Sequence, residues 1–142
     1  DVDALNDLFT SGVVSIFVSR LLAGQPLSIF GDGKQTRDYV SVKDVARANV
    51  LASGAVLPTD ADHDARAFNI ATGTERTVLE LAETAGRVTG RKPELRMEAA
   101  RPGEILRSAL DVKKAADVLG WRPEVTFDAG LAMLMDWFRT EG

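Results

Sequence analysis

The sequence predicts a small mixed α/β domain. Its 142 residues are enough to build one hydrophobic core and too few for two ordinary domains. Hydrophobic residues make up 45% of the chain and charged residues 27%, which is typical of a globular protein. Segments with helical spacing of apolar residues alternate along the chain with short runs rich in β-forming residues. We therefore expect one α/β domain over residues 1–142.

Five segments carry the signals of a helix, because apolar residues recur in them three and four positions apart. Two of the segments begin with a capping box, in which a Ser or Thr and an acidic residue three positions later satisfy backbone N–H groups of the first turn. Glycines end three of them. The predicted helices span about 12 to 23, Ser41 to about Ser53, Thr77 to Gly90, Asp111 to Gly120, and Phe127 to Phe138.

Four further runs are predicted to be extended. Pro26–Phe30 and Gln35–Val40 flank the tight-turn sequence Gly31–Lys34 and predict a hairpin, or a pair of strands joined by that turn. Ala67–Ala71 is a short apolar strand candidate, and Pro93–Glu98 is also predicted to be extended.

Residues 54–66 are the most polar and turn-rich part of the chain and are predicted to form a surface loop. This stretch contains His63, the only histidine, among acidic neighbours. Since a transition-metal site needs three or four converging ligands, we expect His63 to be solvated and the chain to hold no metal.

Composition and charge disfavour several classes of function. The chain has 17 basic and 21 acidic residues, and its net charge of −4 opposes non-specific binding to nucleic acid or anionic lipid. No apolar run approaches the roughly twenty residues needed to cross a bilayer. The first residues show no signal-peptide pattern, and cysteine is absent, so we expect a cytoplasmic location and no disulfides.

Two arginines are candidates for holding an anion. Arg37 lies in a strand-like run, and Arg101 precedes Pro102-Gly103, a turn that lets a ligand approach the backbone. Two guanidinium groups can grip the oxygens of a diphosphate with charge-assisted hydrogen bonds. The alternative is that both are surface arginines paired with neighbouring acids, Asp38 or Asp44 for Arg37 and Glu98 or Glu104 for Arg101.

The order of several motifs resembles a known family. In chain order they are Ser11-Gly12-Val13-Val14-Ser15-Ile16-Phe17, Leu22-Ala23-Gly24-Gln25-Pro26-Leu27, Phe30-Gly31-Asp32-Gly33-Lys34-Gln35-Thr36-Arg37-Asp38-Tyr39-Val40, Phe68-Asn69-Ile70-Ala71-Thr72-Gly73, Arg101-Pro102-Gly103-Glu104 and Leu119-Gly120-Trp121-Arg122-Pro123. Together they resemble the C-terminal part of the extended short-chain dehydrogenases/reductases, the NAD-dependent epimerases and dehydratases of nucleotide sugars. The likeness runs from about Gly12 to Phe138 and implies the substrate-binding domain without the N-terminal Rossmann half.

The resemblance implies a role for five residues. Arg37 and Arg101 would hold the diphosphate of a UDP-sugar, and Glu104 would accept hydrogen bonds from the ribose hydroxyls. The strand containing Leu27 and Ile29 would offer backbone groups and an apolar surface to the uracil. Glu104 should be ionised, because a protonated acid could not accept both ribose protons.

The residues that perform the family's chemistry are not predicted in this chain. It has no glycine-rich NAD fingerprint after a strand, so we expect no cofactor-binding residue here. Tyr39 and Lys43 have the Tyr-x-x-x-Lys spacing of the family's catalytic pair, but Ser41 is a predicted N-cap and separates them. We expect no catalytic residue in this chain, with NAD used by the full-length enzyme.

The implied function is nucleotide binding for a UDP-sugar 4-epimerase. A nucleotide-sugar dehydratase or decarboxylase is the nearest alternative, and a stand-alone binding or interaction module without catalysis is the second. A module whose ligand surface has decayed is the third. The resemblance also implies an NAD-binding half as partner, and the apolar surface that would face it favours self-association.

Overall fold

A computed structural model describes residues 12–58 and 63–140. In chain order the elements are α1 (Val13–Leu22), β1 (Leu27–Phe30), β2 (Thr36–Arg37), α2 (Val42–Gly54), a 3₁₀ turn (His63–Arg66), β3 (Arg76–Thr77), α3 (Val78–Thr89), β4 (Leu95–Glu98), α4 (Lys113–Leu119) and α5 (Phe127–Thr140). The fold is the small mixed α/β type that the sequence predicts. None of the helices in the described ranges is long and apolar enough to span a membrane.

The described residues form two compact units. The first unit comprises residues 12–35, 77–106 and 128–140, and the second comprises 36–58, 63–76 and 107–127. Each is built from chain segments that are far apart in sequence. The expectation of a single domain over 1–142 stays a prediction.

The first unit is a two-stranded parallel sheet covered by helices. β1 pairs with β4 in the register Leu27 to Leu95 through Phe30 to Glu98. Helices α1 and α3 contact each other, and both contact β1. The core is apolar; its fully or nearly fully buried members include Phe17, Val18, Leu21, Leu27, Ile29, Leu81, Ala85 and Leu131.

Helix α3 begins and ends as the sequence predicts. The Thr77 hydroxyl accepts a hydrogen bond from the Glu80 N–H at 3.1 Å, and the Glu80 carboxylate accepts one from the Thr77 N–H at 2.6 Å. This confirms the capping box. Gly90 ends the helix in the left-handed conformation, φ +70°, which a glycine adopts without steric cost.

The second unit has a core built around Trp121. Its ring is fully buried against the cluster of Ala48, Ala115 and Leu119 from α2 and α4. The Trp121 indole N–H donates to the carbonyl oxygen of Asp44 at 2.9 Å, so the buried polar group is satisfied.

The hairpin alternative is wrong, and the other alternative, two strands joined by a tight turn, is what forms. β1 pairs with β4, which lies far along the chain, while β2 is only two residues long and pairs with β3. Two glycines in the left-handed region, Gly31 at φ +69° and Gly33 at φ +72°, turn the chain away from β1. The turn residues were identified correctly, but the sequence does not specify which strand each run pairs with.

The strand predicted at Ala67–Ala71 does not form. Phe68 and Ile70 do pack against the Trp121 core, so the apolar pattern reports burial. The segment has no ladder partner among the described residues and remains irregular. Of the predicted loop 54–66, Gly54 ends α2, His63–Arg66 forms the exposed 3₁₀ turn, and 59–62 lie outside the described residues.

Candidate nucleotide-binding site

The parallel pairing of β1 and β4 brings two loops together in the first unit. Because the strands run in the same direction, their carboxyl ends meet at one edge, where the Gly31 N–H donates to the Glu98 carbonyl at 3.0 Å. The turn after β1 and the loop 99–104 after β4 both start there. A Cβ atom built on Gly31 would lie 3.5 Å from the Cβ of Ala100. Ligands of α/β proteins bind at such carboxyl ends.

Arg101 is held over an aromatic ring at this edge. Its guanidinium carbon lies 3.7 Å from the centroid of the Phe30 ring, a close cation–π contact. The side chain of Arg101 is exposed on its other side. The contact places the positive charge of Arg101 beside the last residue of β1.

Glu104 is connected to Phe30 through Gln35, a residue that the sequence analysis did not identify as part of the site. The Gln35 side chain is buried, with 7% of its surface exposed. Its amide N–H₂ donates to the Phe30 carbonyl at 2.9 Å and to a Glu104 carboxylate oxygen at 3.4 Å. Gln35 therefore ties the Arg-Pro-Gly-Glu loop to the end of β1. No sequence pattern marks it, because its role depends on burial.

The strand residues expected at the uracil have their side chains in the core. Leu27 and Ile29 are fully buried, so only their backbone groups could face a ligand. The alternate residues of β1, Ser28 and Phe30, are partly exposed on the other face. The partly exposed apolar side chain of β1 is therefore that of Phe30, not those of Leu27 and Ile29.

Arg37 lies in the second unit, at the end of β2. Its guanidinium donates to the backbone carbonyl of Thr36 at 2.7 Å. The Thr36 hydroxyl donates at 2.8 Å to the carboxylate of Glu75, which also forms an ion pair with Arg107. The Arg107 ion pair, with the Thr36 hydroxyl, holds the pKa of Glu75 below its usual value, so this acid remains charged and fixes β2.

Asp38 anchors the residues that follow Arg37. One carboxylate oxygen accepts the Thr72 N–H at 2.8 Å and the Thr72 hydroxyl at 2.6 Å, and the other accepts the Gly73 N–H at 2.8 Å. The acid of the Thr-Arg-Asp motif is therefore committed to the turn at 72–74.

Tyr39 has an environment that its Tyr-x-x-x-Lys spacing does not indicate. Its hydroxyl is buried and has no hydrogen-bond partner among the described residues. The ring stacks on Phe127 with centroids 5.5 Å apart. Burial raises the pKa of the Tyr39 hydroxyl, and the charge of Arg37 opposes that shift. A buried unpaired donor costs free energy unless a ligand or water meets it.

Tyr39 and Lys43 do not share a helix, as predicted. The Ser41 hydroxyl accepts from the Lys43 N–H at 3.3 Å as the N-cap of α2, so Tyr39 precedes the helix and Lys43 lies in its first turn. Among the described residues, no three His, Cys, Asp or Glu side chains are grouped to hold a metal ion.

Comparison with known proteins identifies the family. The family model described as GDP-mannose 4,6 dehydratase matches residues 5–134. The chain belongs to this family. It is 40% identical over 131 residues to the UDP-glucose 4-epimerase of Mycolicibacterium smegmatis, covering 92% of the chain and 40% of the relative. It is also 33% identical to a dTDP-glucose 4,6-dehydratase of Xanthomonas campestris, over 93% of the chain and 39% of the relative.

Solved structures of nucleotide-sugar epimerases have the same fold as this chain. The UDP-glucose 4-epimerase of Thermotoga maritima, determined with UDP-glucose, matches 91% of the chain and 40% of its own length with a TM-score of 0.80 and 39% identity. A Thermus thermophilus UDP-glucose 4-epimerase of the same fold, determined with NAD, gives a TM-score of 0.79 and 34% identity over 92% of the chain and 40% of its length. The chain thus spans about 40% of these relatives, and epimerases and dehydratases of nucleotide sugars are both among them.

Proposed function

We propose that this chain binds the nucleoside diphosphate part of a UDP-sugar, as the substrate-binding part of an NAD-dependent nucleotide-sugar 4-epimerase. The observation that carries the proposal is at the carboxyl end of β1. There Phe30 supports the Arg101 guanidinium with its ring, and its carbonyl supports Glu104 through Gln35. A fixed cation and a carboxylate on one short loop suit a diphosphate and the ribose hydroxyls beside it.

We propose that Arg37 also binds phosphate, as the family's Thr-Arg-Asp motif implies. Its guanidinium is placed at the end of β2 by a hydrogen bond to the Thr36 carbonyl at 2.7 Å. A guanidinium group holds a phosphate oxygen by charge-assisted hydrogen bonds.

The chain is proposed to contribute binding and orientation. Holding the nucleotide by its diphosphate leaves the sugar free to turn, which an epimerase needs. NAD, when bound to the full-length relatives, supplies the hydride chemistry. We assign no catalytic residue and no NAD contact to this chain.

The test is calorimetric titration of the chain with UDP, uridine and NAD. We expect Arg37→Ala and Arg101→Ala each to weaken UDP binding by about 1.5 to 3 kcal/mol, roughly 10- to 150-fold, because each removes a charged hydrogen bond. Neither change should weaken uridine binding, since uridine has no phosphate. Glu104→Gln should weaken the binding of both UDP and uridine, because both carry the ribose hydroxyls.

The matched control is Arg139→Ala, which removes an exposed arginine from α5. It should bind UDP like the unmodified chain. UDP affinity that survives Arg37→Ala and Arg101→Ala together would refute the diphosphate role, and unchanged uridine binding in Glu104→Gln would refute the ribose role.

A dehydratase role is the second candidate, since dTDP-glucose 4,6-dehydratases are among the relatives. Comparing UDP with dTDP distinguishes the two. Because dTDP lacks the ribose 2′-hydroxyl, Glu104→Gln should reduce UDP affinity more than dTDP affinity. Tighter binding of dTDP than of UDP would favour the dehydratase.

The same titrations test the interaction-module alternative. If none of UDP, dTDP, uridine and NAD binds, a non-catalytic interaction module is favoured.

A further inference from the structure

In the part of the chain that the structure describes, strand β4 is hydrogen-bonded to another strand along one edge only. Within the described residues it pairs only with β1, and all four of its residues are exposed. Leu95 and Met97 expose 41% and 56% of their surface, which is unusual for apolar strand residues. An exposed strand edge is a template for pairing with another strand.

The register defines which backbone groups are open. The Leu27 N–H donates to the Glu94 carbonyl, and the Gly31 N–H donates to the Glu98 carbonyl. In this parallel ladder the even-numbered residues of β4 direct their N–H and C=O groups toward β1. The odd-numbered residues Leu95, Met97 and Ala99 therefore direct theirs to the open edge.

The charged side chains of β4 in one copy of the chain are complementary to those of β4 in a second copy. Arg96 and Glu98 have opposite charges and lie on the same face, two positions apart. In an antiparallel pair of two β4 strands with Met97 opposite Met97, each Arg96 lies opposite the Glu98 of the other copy. These are non-hydrogen-bonded positions, where facing side chains are closest, so opposite charges there stabilise the pair.

The alternative two-fold registers are less favourable. Centring the pair on Leu95 places Met97 opposite Pro93, which has no N–H to donate. Centring it on Ala99 places Met97 opposite Arg101 and loses the facing of Arg96 with Glu98. Centring the pair on Leu95 also faces opposite charges, Arg96 with Glu94, so it is the missing Pro93 donor that favours the pair centred on Met97.

We propose that the open edge of β4 pairs antiparallel with the β4 edge of a second copy of this chain, centred on Met97. The two parallel sheets would join into one four-stranded sheet. Pairing confined to one short strand buries less than the roughly 1,200 Å² typical of a stable interface, so the dimer is weak and dissociates on dilution. The inference is independent of nucleotide binding.

Sedimentation velocity of the full chain, from about 10 µM to about 1 mM, tests for the expected weak dimer. Arg96→Glu or Glu98→Arg should each weaken it at least tenfold by placing like charges opposite each other. The double exchange Arg96→Glu with Glu98→Arg should restore it. Lys92→Glu, an exposed site outside the pairing with the same change in charge, is the matched control and should dimerise normally.

The register is tested by cross-linking, which benefits from a chain without cysteine. Facing residues of a hydrogen-bonded antiparallel pair have Cα atoms about 5.5 Å apart, within disulfide range. Met97→Cys should therefore form a disulfide dimer under mild oxidation faster than Val118→Cys, whose side chain is similarly exposed at 50%. A monomer at every concentration, a double exchange that does not restore the dimer, or equal cross-linking of the two cysteine variants would overturn the proposal.

Discussion

At the scale of single residues, Asp44 shows how one buried carboxylate organises the second unit. It is 2% exposed and accepts the N–H groups of Glu124 and Val125 at 3.0 to 3.1 Å, as well as a hydrogen bond from the Arg47 guanidinium at 3.0 Å. These contacts join the start of α2 to the segment after Trp121. A buried acceptor with three donors cannot be replaced without leaving donors unpaired.

We expect Asp44→Asn to lower the free energy of unfolding by about 2 to 4 kcal/mol, because it removes the charge and leaves buried donors unsatisfied. Urea denaturation measures the loss. Asp117→Asn is the matched control, since Asp117 is 56% exposed and pairs only at the surface with Lys113, and should cost about 0 to 1 kcal/mol. Equal losses in the two variants would contradict the assigned role.

The same carboxylate gives a pH dependence. Burial alone would raise the pKa of Asp44, but the N–H donors of Val125 and Glu124 and the Arg47 guanidinium outweigh it, so the pKa lies below its usual value. The stabilisation is then complete above the unfolded pKa, about 3.9, and is lost as pH falls through the folded value. The difference in unfolding free energy between the unmodified chain and Asp44→Asn should shrink as the pH is lowered below about 4. A constant difference would refute the linkage.

The residues of the candidate site differ in how far the sequence predicts them. Arg37, Arg101 and Glu104 stand in ordered motifs, and a motif can be recognised without a structure. Gln35 and Tyr39 belong to one of the same motifs, but the motif does not show what their side chains contact. Gln35 has a buried amide with two acceptors, and Tyr39 has a buried hydroxyl with no partner in the described chain. Such properties depend on packing, which one sequence does not display.

At the scale of elements, local signals predict better than pairings. The capping box at Thr77 and the glycine after α3 are decided within a few residues, and both are confirmed. The partner of β1 lies about seventy residues away in β4, and the hairpin prediction failed there. Ala67–Ala71 failed for a related reason, since apolar alternation reports burial whether or not a neighbouring strand exists.

Gly33 connects the turn after β1 to α3. Its carbonyl accepts the Leu79 N–H at 3.2 Å, which satisfies one of the N–H groups at the start of the helix. Its φ is +72°, and a Cβ atom there would lie 2.7 to 2.9 Å from side-chain atoms of Leu79 and Ile29. Any side chain at this position would separate α3 from the strand.

We therefore expect Gly33→Ala to lower the free energy of unfolding by about 2 to 5 kcal/mol, the sum of a left-handed backbone and an overpacked core. Gly103→Ala is the matched control, because Gly103 has φ +76° and nothing within 4 Å of a built Cβ. It should cost only the backbone part, about 1 to 2 kcal/mol. Thermal or urea unfolding compares them, and similar losses would show that the close approach at Gly33 is unimportant.

At the scale of the whole molecule, the two units share one chain in a way that favours joint unfolding. The first consists of three chain segments and the second of two, so the chain passes between them four times. Two of the boundaries fall inside elements, one between Arg76 and Thr77 of β3 and one between Phe127 and Asp128 of α5. Unfolding one unit would disrupt an element that belongs partly to the other.

We predict a single cooperative transition, and the two tryptophans allow it to be tested unit by unit. Trp121 is fully buried in the second unit, and Trp137 is 53% exposed in the first. Trp121→Phe and Trp137→Phe each leave one fluorescent reporter. In each variant the urea midpoint from tryptophan emission should coincide with that from far-UV circular dichroism, because a two-state transition gives the same midpoint by every probe. Comparing probes within one variant removes the stability cost of the substitution itself. Midpoints that separate in either variant would show that the units unfold independently.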